Sequence, residues 1–394
     1  MSHNRISNHF FPTMPSTLHE KVSRVLHPLW QGCLYVVAVI ATVTAPIIVT
    51  FAFSVLQPYS AFGQQPASAK PATAQPSIST AIAATTQNLT LNTSTGTLYG
   101  TLEVPAAAAP VPVLLFMGGG IPIDRNGNSH LYADSNNTMK MLAEALLKYG
   151  VASFRYDKRG VAQSRGACRS EDELRVEVYV QDALGWGKKL LEDKRFSSVI
   201  VLGYSESTLP AIITARTLGA DGFISVAASG RSMQEIYLER ARKNFPHEML
   251  QDVQNVVASL EQGKRVDSLK YQLLYASFRP PLQPYLISSY RSTPSKELAK
   301  LSVPSLIIGG TKDFDIPSHE FKAFAAANPN AKLSLIDNMT HILRELPQEL
   351  PSPTMKPRSI FANPLVPKLI TDIADFVRVT SIRKKVRETA KSQQ

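Results

Sequence analysis

A serine side chain becomes a useful nucleophile only where its hydroxyl stands clear of the chain around it, and Ser205 has the sequence context for that. The β-branched and apolar run Val199-Ile200-Val201-Leu202 enters Gly203-Tyr204-Ser205-Glu206-Ser207 and leaves as an apolar, helix-like segment as far as Ala215. Strand, sharp turn and helix therefore meet at one serine, the arrangement of a nucleophile elbow, in which the residues two positions either side must be small so that strand and helix can approach. Gly203 meets that need; Ser207 adds a Cβ at the second tight position. Pro210 is expected in the second turn of the following helix, where it removes a backbone hydrogen bond and can kink the axis. The competing reading of this stretch is a buried strand-to-helix turn that happens to contain a serine.

The elements that would position such a residue can be read along the chain. Residues 88–92 and 97–103 alternate apolar and polar around Thr93-Ser94-Thr95-Gly96, which predicts a leading antiparallel hairpin. Buried-strand runs follow at 111–117, ending in three glycines, at 151–156, at the elbow strand, and at 222–227, 304–308 and 332–336. Helices are expected over about 136–149, from a Ser170/Glu173 capping box to about Leu191, and over about 366–376. Strands alternating with helices after a hairpin imply an α/β fold with a mostly parallel sheet covered on both faces.

Composition bounds the rest. The 394 residues carry a formal net charge of +11. Much of that excess sits at the ends, above all in Arg378, Arg383, Lys384, Lys385, Arg387 and Lys391 against Glu388, so no nucleic-acid partner is expected for the body. The two cysteines, Cys33 and Cys168, are too differently placed for a disulfide framework or a metal site. From Val25 to Ala69 there is no Lys, Arg, Asp or Glu, and residues 34–56 form an apolar stretch long enough to span a bilayer at about 1.5 Å per residue. Lys21 and Arg24 on its N-terminal flank place residues 1–33 in the cytoplasm and the body outside it, on a single-pass anchor in the cell membrane. The small-residue sites around 61–63 and 67–69 leave export after cleavage as the alternative. A Pro/Ala/Gln-rich linker at 57–79 follows, then the folded domain at 80–377 and a basic C-terminal tail at 378–394.

Several blocks of residues resemble the α/β-hydrolase superfamily, and in particular bacterial serine hydrolases with a G-H-S-E-G elbow, over about residues 88–377. Gly119-Gly120-Ile121-Pro122-Ile123-Asp124-Arg125-Asn126-Gly127-Asn128 is similar to the family's G-S-G-P-x-D-R-D-G-N loop, and Arg155-Tyr156-Asp157-Lys158-Arg159-Gly160-Val161-Ala162-Gln163-Ser164 to its R-Y-D-x-R-G-x-G-x-S segment. Gly310-Thr311-Lys312-Asp313 with Ile316-Pro317 resembles the acid loop, and Asn338-Met339-Thr340-His341 the histidine loop. Departures are Ile121 and Ala162 for glycines, Tyr204 for the usual histidine, and Ser207 for the second elbow glycine.

The resemblance implies a triad of Ser205, Asp313 and His341, in the chain order Ser, Asp, His that the fold requires. An unassisted hydroxyl is a poor nucleophile at neutral pH; an imidazole must take its proton and a carboxylate must hold that imidazole in one tautomer. Asp315 competes with Asp313 for the second role, and His319 and His130 are weaker candidates for the first. The oxyanion of acyl transfer would be met by the N–H of Glu206 and one from Gly120 or Ile121. Asp124, Arg125, Asp157 and Arg159 read as an internal ion-pair network that fixes those loops. A helical cap is expected at about 231–302, with Leu250, Val253, Val257 and Leu260 on one apolar helical face and Tyr271, Tyr275, Phe278, Tyr285 and Tyr290 beyond it; together they imply an apolar acyl or alcohol pocket. The expected activity is cleavage of a small-molecule carboxylic ester through an acyl-enzyme, with no metal or organic cofactor. The alternatives are a peptidase or amidase of the same fold, and a non-catalytic membrane-tethered binding module.

Overall fold

Along the central strands, successive side chains belong to opposite faces of one sheet. Val113, Leu115 and Met117 pack into one apolar cluster while Leu114 and Phe116 pack into another; Val199 and Val201 go with the first, Ile200 and Leu202 with the second. A run buried on both faces is what a parallel sheet covered on two sides requires. The computed structural model describes residues 84–120, 122–129, 135–346 and 363–392.

The eight strands are β1 (Ala84–Thr93), β2 (Gly96–Pro105), β3 (Val111–Met117), β4 (Ala152–Tyr156), β5 (Phe196–Tyr204), β6 (Gly222–Val226), β7 (Ser305–Gly310) and β8 (Ala331–Ile336). Their order across the sheet is β1-β2-β4-β3-β5-β6-β7-β8. The expected hairpin is present, β1 against β2 antiparallel with Thr93 opposite Gly96, and β2 also runs antiparallel to β4. From β4 to β8 every pairing is parallel. The strand order reverses at β3, so the crevice beyond the carboxyl ends of β3 and β5 is the place where an open α/β sheet binds ligands.

Helices α1 (Thr138–Leu147), α2 (Val176–Glu192) and α3 (Thr208–Leu218) follow β3, β4 and β5 in turn. Met139, Leu142 and Leu146 of α1 cover one face; Trp186 and Leu190 of α2 with Ala211 and Ile212 of α3 cover the other. Ser170 does cap a helix, accepting a hydrogen bond from the Asp172 N–H, but that helix is a single 3-10 turn, Glu171–Glu173. The long helix starts afresh at Val176, whose N–H is met by the Ser288 hydroxyl at 2.9 Å. No local signal in the sequence marks that long-range partner.

After Gly230 the chain leaves the sheet and builds the expected cap from α4 (Met233–Asn244), α5 (His247–Glu261), α6 (Tyr275–Phe278), α7 (Gln283–Tyr290) and α8 (Pro294–Ala299). It has its own small core, in which Val253, Val257 and Leu260 of α5 meet Phe278, Leu286 and Tyr290. Helix α9 (Ser318–Ala326) then leads from β7 to β8, and α10 (Pro367–Ser392) closes the domain. The final helix thus runs well past the expected end near Phe376. Val377 and Thr380 are still buried, Ser381 is hydrogen-bonded to Ser198 at 2.7 Å, and Lys384 pairs with Asp221 at 3.0 Å. Lys384 read as part of a tail because its partner Asp221 lies far away in the sequence.

Among the described residues, no helix is long and apolar enough to cross a membrane. The apolar stretch at 34–56, its flanks and the linker at 57–79 lie outside the described residues.

Helix α3 starts only at Thr208, after a 3-10 turn over Ser205–Ser207, so Pro210 falls in the first turn of the helix. An N–H there has no intrahelical partner in any case, so Pro210 brings no kink of the kind its sequence position suggested. The strand and the helix meet at Gly203, where an added Cβ would stand 2.7 Å from the Ala211 Cβ and 2.8 Å from the Thr208 Cα. Gly203→Ala is expected to cost about 1–3 kcal/mol, because a backbone atom cannot step aside. Ser207→Gly is expected to cost less, about 1 kcal/mol, for one lost hydrogen bond. Thermal denaturation of the two variants, with Ser207→Gly the more stable, checks the comparison.

Candidate active site

The elbow is built as the strand–turn–helix pattern requires. Ser205, the first residue after β5, has φ 52°, a left-handed conformation that a non-glycine residue adopts only where its surroundings impose it. Ser207 has an ordinary φ of −72°, so its backbone has no need of glycine, and its buried hydroxyl donates to the carbonyl of Gly118 at the end of β3. The residue that departs from the usual motif thus ties the elbow to the neighbouring glycine loop. Ala162, standing where the family pattern has glycine, also takes a positive φ, 43°.

Asp313 and His341 come from the loops after β7 and β8. These loops touch closely at Gly310, where any Cβ would run into the Met339 backbone. The Nδ1 of His341 lies 2.9 Å from Oδ2 of Asp313 and 4.0 Å from Oδ2 of Asp315. The other oxygen of Asp313 accepts the N–H groups of Asp315 and Ile316 at 3.0 and 2.9 Å. Asp313 is therefore the carboxylate that holds the imidazole, and its buried charge is fixed by backbone donors. Asp315, half-buried beside it, adds a second negative charge at longer range. Burial works against the imidazolium of His341, but the Asp313 hydrogen bond and the charges of Asp313 and Asp315 outweigh it and raise its pKa above the ordinary histidine value. With Nδ1 donating to the carboxylate, Nε2 is left as the proton acceptor.

Tyr204 and Arg344, which no sequence motif singled out for this purpose, position the histidine loop. The Tyr204 hydroxyl donates to the His341 carbonyl at 3.0 Å, and the two rings stand 5.7 Å apart. A tyrosine in place of the usual histidine therefore links the residue before the serine to the candidate base. The fully buried Arg344 guanidinium donates to Thr138 Oγ1 at 2.9 Å and to the carbonyls of Asn136 and Asn363 at 2.6 and 2.9 Å, joining the histidine loop to the starts of α1 and α10.

The loop after β3 lies against the elbow. Gly120 is so close to Glu206 that a side chain there would overlap the carboxylate, and Gly119 packs on the Tyr204 ring. Ile121 and His130 lie outside the described residues, and His319 sits in α9. The expected ion-pair network is present: Arg125 pairs with Asp157 at 2.6 Å with both side chains buried, and Asp157 also accepts the N–H groups of Arg125 and Gln163. Arg159 binds Asp182 of α2, its Nε 3.0 Å from Oδ2. Asp124 turns inward on its own loop, accepting from the N–H groups of Asn126 and Asn128 at 2.8 and 2.9 Å. None of these four charges is directed outward for a ligand.

Lys158, between the two anchored residues, is buried, and its ammonium donates to the carbonyls of Gly119 and, at 3.3 Å, Gly120. Burial pulls its pKa down to about 8, opposed by the charge of Glu206. Tyr237 of α4 and Tyr285 of α7 have phenols pushed up by burial and by the same Glu206 charge, and Tyr285 also packs beside Leu209 of α3. Asp313, Asp315 and His341 present ligand atoms within 4.8 Å of one another, the closest approach to a metal cluster among the described residues. Their bonds to each other and to the backbone suit an oriented imidazole instead.

No family model matches the chain. The esterase EstD of Thermotoga maritima is 23% identical over 249 residues, covering 62% of this chain and 58% of that protein, so the chain spans less than two thirds of that relative's length. Among solved structures, ferulic acid-bound Est1E from Butyrivibrio proteoclasticus covers 75% of this chain and 99% of its own at 17% identity and a TM-score of 0.50. The α/β hydrolase GrgF from Penicillium sp. sh18 covers 76% and 99% at 14% identity and the same TM-score. With the strand order, the left-handed serine at the end of β5 and these architectures in agreement, the chain has the α/β-hydrolase fold that its motifs resemble.

Proposed function

We propose that this protein is a serine hydrolase that cleaves carboxylic esters, with Ser205 as nucleophile, His341 as base and Asp313 as the acid that orients it. The observation that carries the reading is the 2.9 Å contact between His341 Nδ1 and a backbone-anchored Asp313, in a loop tied through Tyr204 to the strained elbow serine. The similarity to a curated esterase supports an ester over other acyl substrates. The Ser205 hydroxyl attacks the ester carbonyl and passes its proton to His341 Nε2, forming a tetrahedral oxyanion met by the N–H of Glu206 and that of Gly120 or Ile121. Collapse expels the alcohol, which takes the proton from Nε2, and leaves an acyl-Ser205. Water, deprotonated by the same nitrogen, then releases the acid and restores the serine. The half-buried Tyr237 and Tyr285 would form the wall against which an apolar acyl or alcohol group rests.

Ser205→Ala is expected to abolish hydrolysis of p-nitrophenyl butyrate and labelling by a fluorophosphonate while leaving the melting temperature little changed, since only one oxygen is removed and the Cβ that strains the left-handed backbone stays. Turnover above about a hundredth of wild type would sink the assignment, because triad members are typically worth roughly 10³-fold or more.

The active base is neutral, so kcat/KM should rise with pH through a histidine pKa displaced upward from its ordinary value. Asp315→Asn removes one negative charge near His341; that shifts the acidic limb to lower pH, with the plateau within a few-fold of wild type. Asp313→Asn instead should lower the plateau by roughly 10³-fold or more, because the imidazole loses its orienting acceptor. Full pH profiles of the two variants decide the matter, and the reverse order of losses would assign the acid role to Asp315.

We also propose that the hydrolase domain works outside the cytoplasm on a membrane anchor at 34–56, on the strength of the uncharged apolar stretch and the Lys21/Arg24 flank. Full-length protein should then fractionate with membranes, and protease added outside the cytoplasmic membrane should cut the linker. A reporter fused after Gln394 and active only in the cytoplasm would refute export; a mature N-terminus near Gln64 or Lys70 would keep export and remove the anchor.

A further inference from the structure

We propose that Lys158 is a positioning residue for acyl transfer: its buried ammonium holds the Gly119–Gly120 peptide so that the Gly120 N–H faces the reacting carbonyl oxygen. This inference rests on the serine-hydrolase reading above.

In a trans peptide unit the C=O and the following N–H point in opposite directions. The Gly119 carbonyl is in the same peptide plane as the Gly120 N–H, so an ammonium that takes the carbonyl turns that N–H away from itself. Lys158 holds this carbonyl and also reaches that of Gly120 at 3.3 Å, so two successive peptide units are gripped by one side chain. A glycine pair needs such a grip, since neither residue has a side chain to limit its backbone rotation.

Lys158 itself is held firmly. It follows the last residue of β4 by two positions, beside β3 in the sheet. The residues either side of it are the two that the ion-pair network anchors, Asp157 on Arg125 and Arg159 on Asp182. The gripped loop in turn abuts the elbow, with Gly120 against Glu206, whose N–H is the other oxyanion donor, and Gly118 taking the Ser207 hydroxyl. The donor is thus fixed from behind by β4 and from the side by the elbow, the preorganisation that oxyanion stabilisation depends on. An ammonium facing backbone carbonyls from within the protein is a different placement from one set out to receive a substrate carboxylate.

The test is Lys158→Met, close to lysine in length and without its donors, with Lys158→Gln as a second variant. Active sites are counted by fluorophosphonate titration, so a partly folded preparation still reports on the molecules with a formed site. The substrates are p-nitrophenyl butyrate and its thiono analogue, whose carbonyl sulfur makes weak use of an oxyanion hole. Per titrated site, kcat for the oxygen ester is expected to fall about 10- to 100-fold, less than the roughly 10²–10³-fold cost of deleting a donor outright. KM should stay within a few-fold, and the preference for oxygen over sulfur should shrink by a factor similar to the loss in kcat. A merely structural role would not move that preference. An unchanged oxygen-to-sulfur ratio, kcat within twofold of wild type, or a loss confined to KM would overturn the proposal, the last by assigning the ammonium to substrate binding. If wild type itself takes no fluorophosphonate, the serine-hydrolase reading fails; if wild type is labelled and the variants behave like it, only the role of Lys158 fails.

Discussion

Everything at the site depends on holding one serine in a backbone conformation that L-residues avoid. A left-handed non-glycine residue costs on the order of 1–3 kcal/mol and persists only where the surroundings over-determine it. Here β5 is locked between β3 and β6, α3 packs back on the strand through Gly203 and Ala211, and Ser207 is tied to Gly118. The strained turn stands at the carboxyl end of β5, and the parallel pairing brings the loops after β3, β7 and β8 to the same edge of the sheet.

The polar groups around the serine form two sets with different duties. Asp157, Arg125, Arg159 and Asp182 are buried in pairs on the β4 side and fix loops; removing one partner would leave a buried charge uncompensated, which is costly even where the intact pair adds little. Asp313, Asp315 and His341 sit at the open side, where one carboxylate is fully used by backbone donors and the imidazole while the other remains half-buried. The first set can be rigid because it moves no proton. In the proposed mechanism the second lets a histidine gain and lose charge, and the two neighbouring carboxylates favour its charged form.

The cap adds an apolar roof with a core of its own. Val253, Val257, Leu260, Phe278 and Leu286 give the cap a small core of its own, while Leu298 of α8 packs into the core of the body and Tyr285 of α7 packs beside Leu209 of α3. Polar ties also join it to the body, among them Ser288 to the start of α2, Arg279 to Glu171, whose Nε and Oε2 are 2.8 Å apart, and Arg265 to Asp172 at 2.7 Å.

What the residues determine locally was legible without a structure. Two-residue alternation and buried runs marked the hairpin and the parallel strands and small residues flanking Ser205 marked the elbow, because each of these signals is carried by neighbours in the chain, whereas Asp313 and His341 were marked by the resemblance of their loops to those of the α/β-hydrolase family. What remained for the tertiary structure were the contacts made by residues close together in sequence. Asp313 and Asp315 are two positions apart, and only the fold turns one toward His341 at 2.9 Å and the other away to 4.0 Å. Pro210 looked disruptive until the helix proved to start at Thr208. Ser207 looked too large until its hydroxyl found Gly118, and the basic end looked like a tail until Lys384 met Asp221. Lys158, Tyr204 and Arg344 carry no motif of their own, since their partners lie many residues away and a long-range hydrogen bond leaves no local pattern in the sequence.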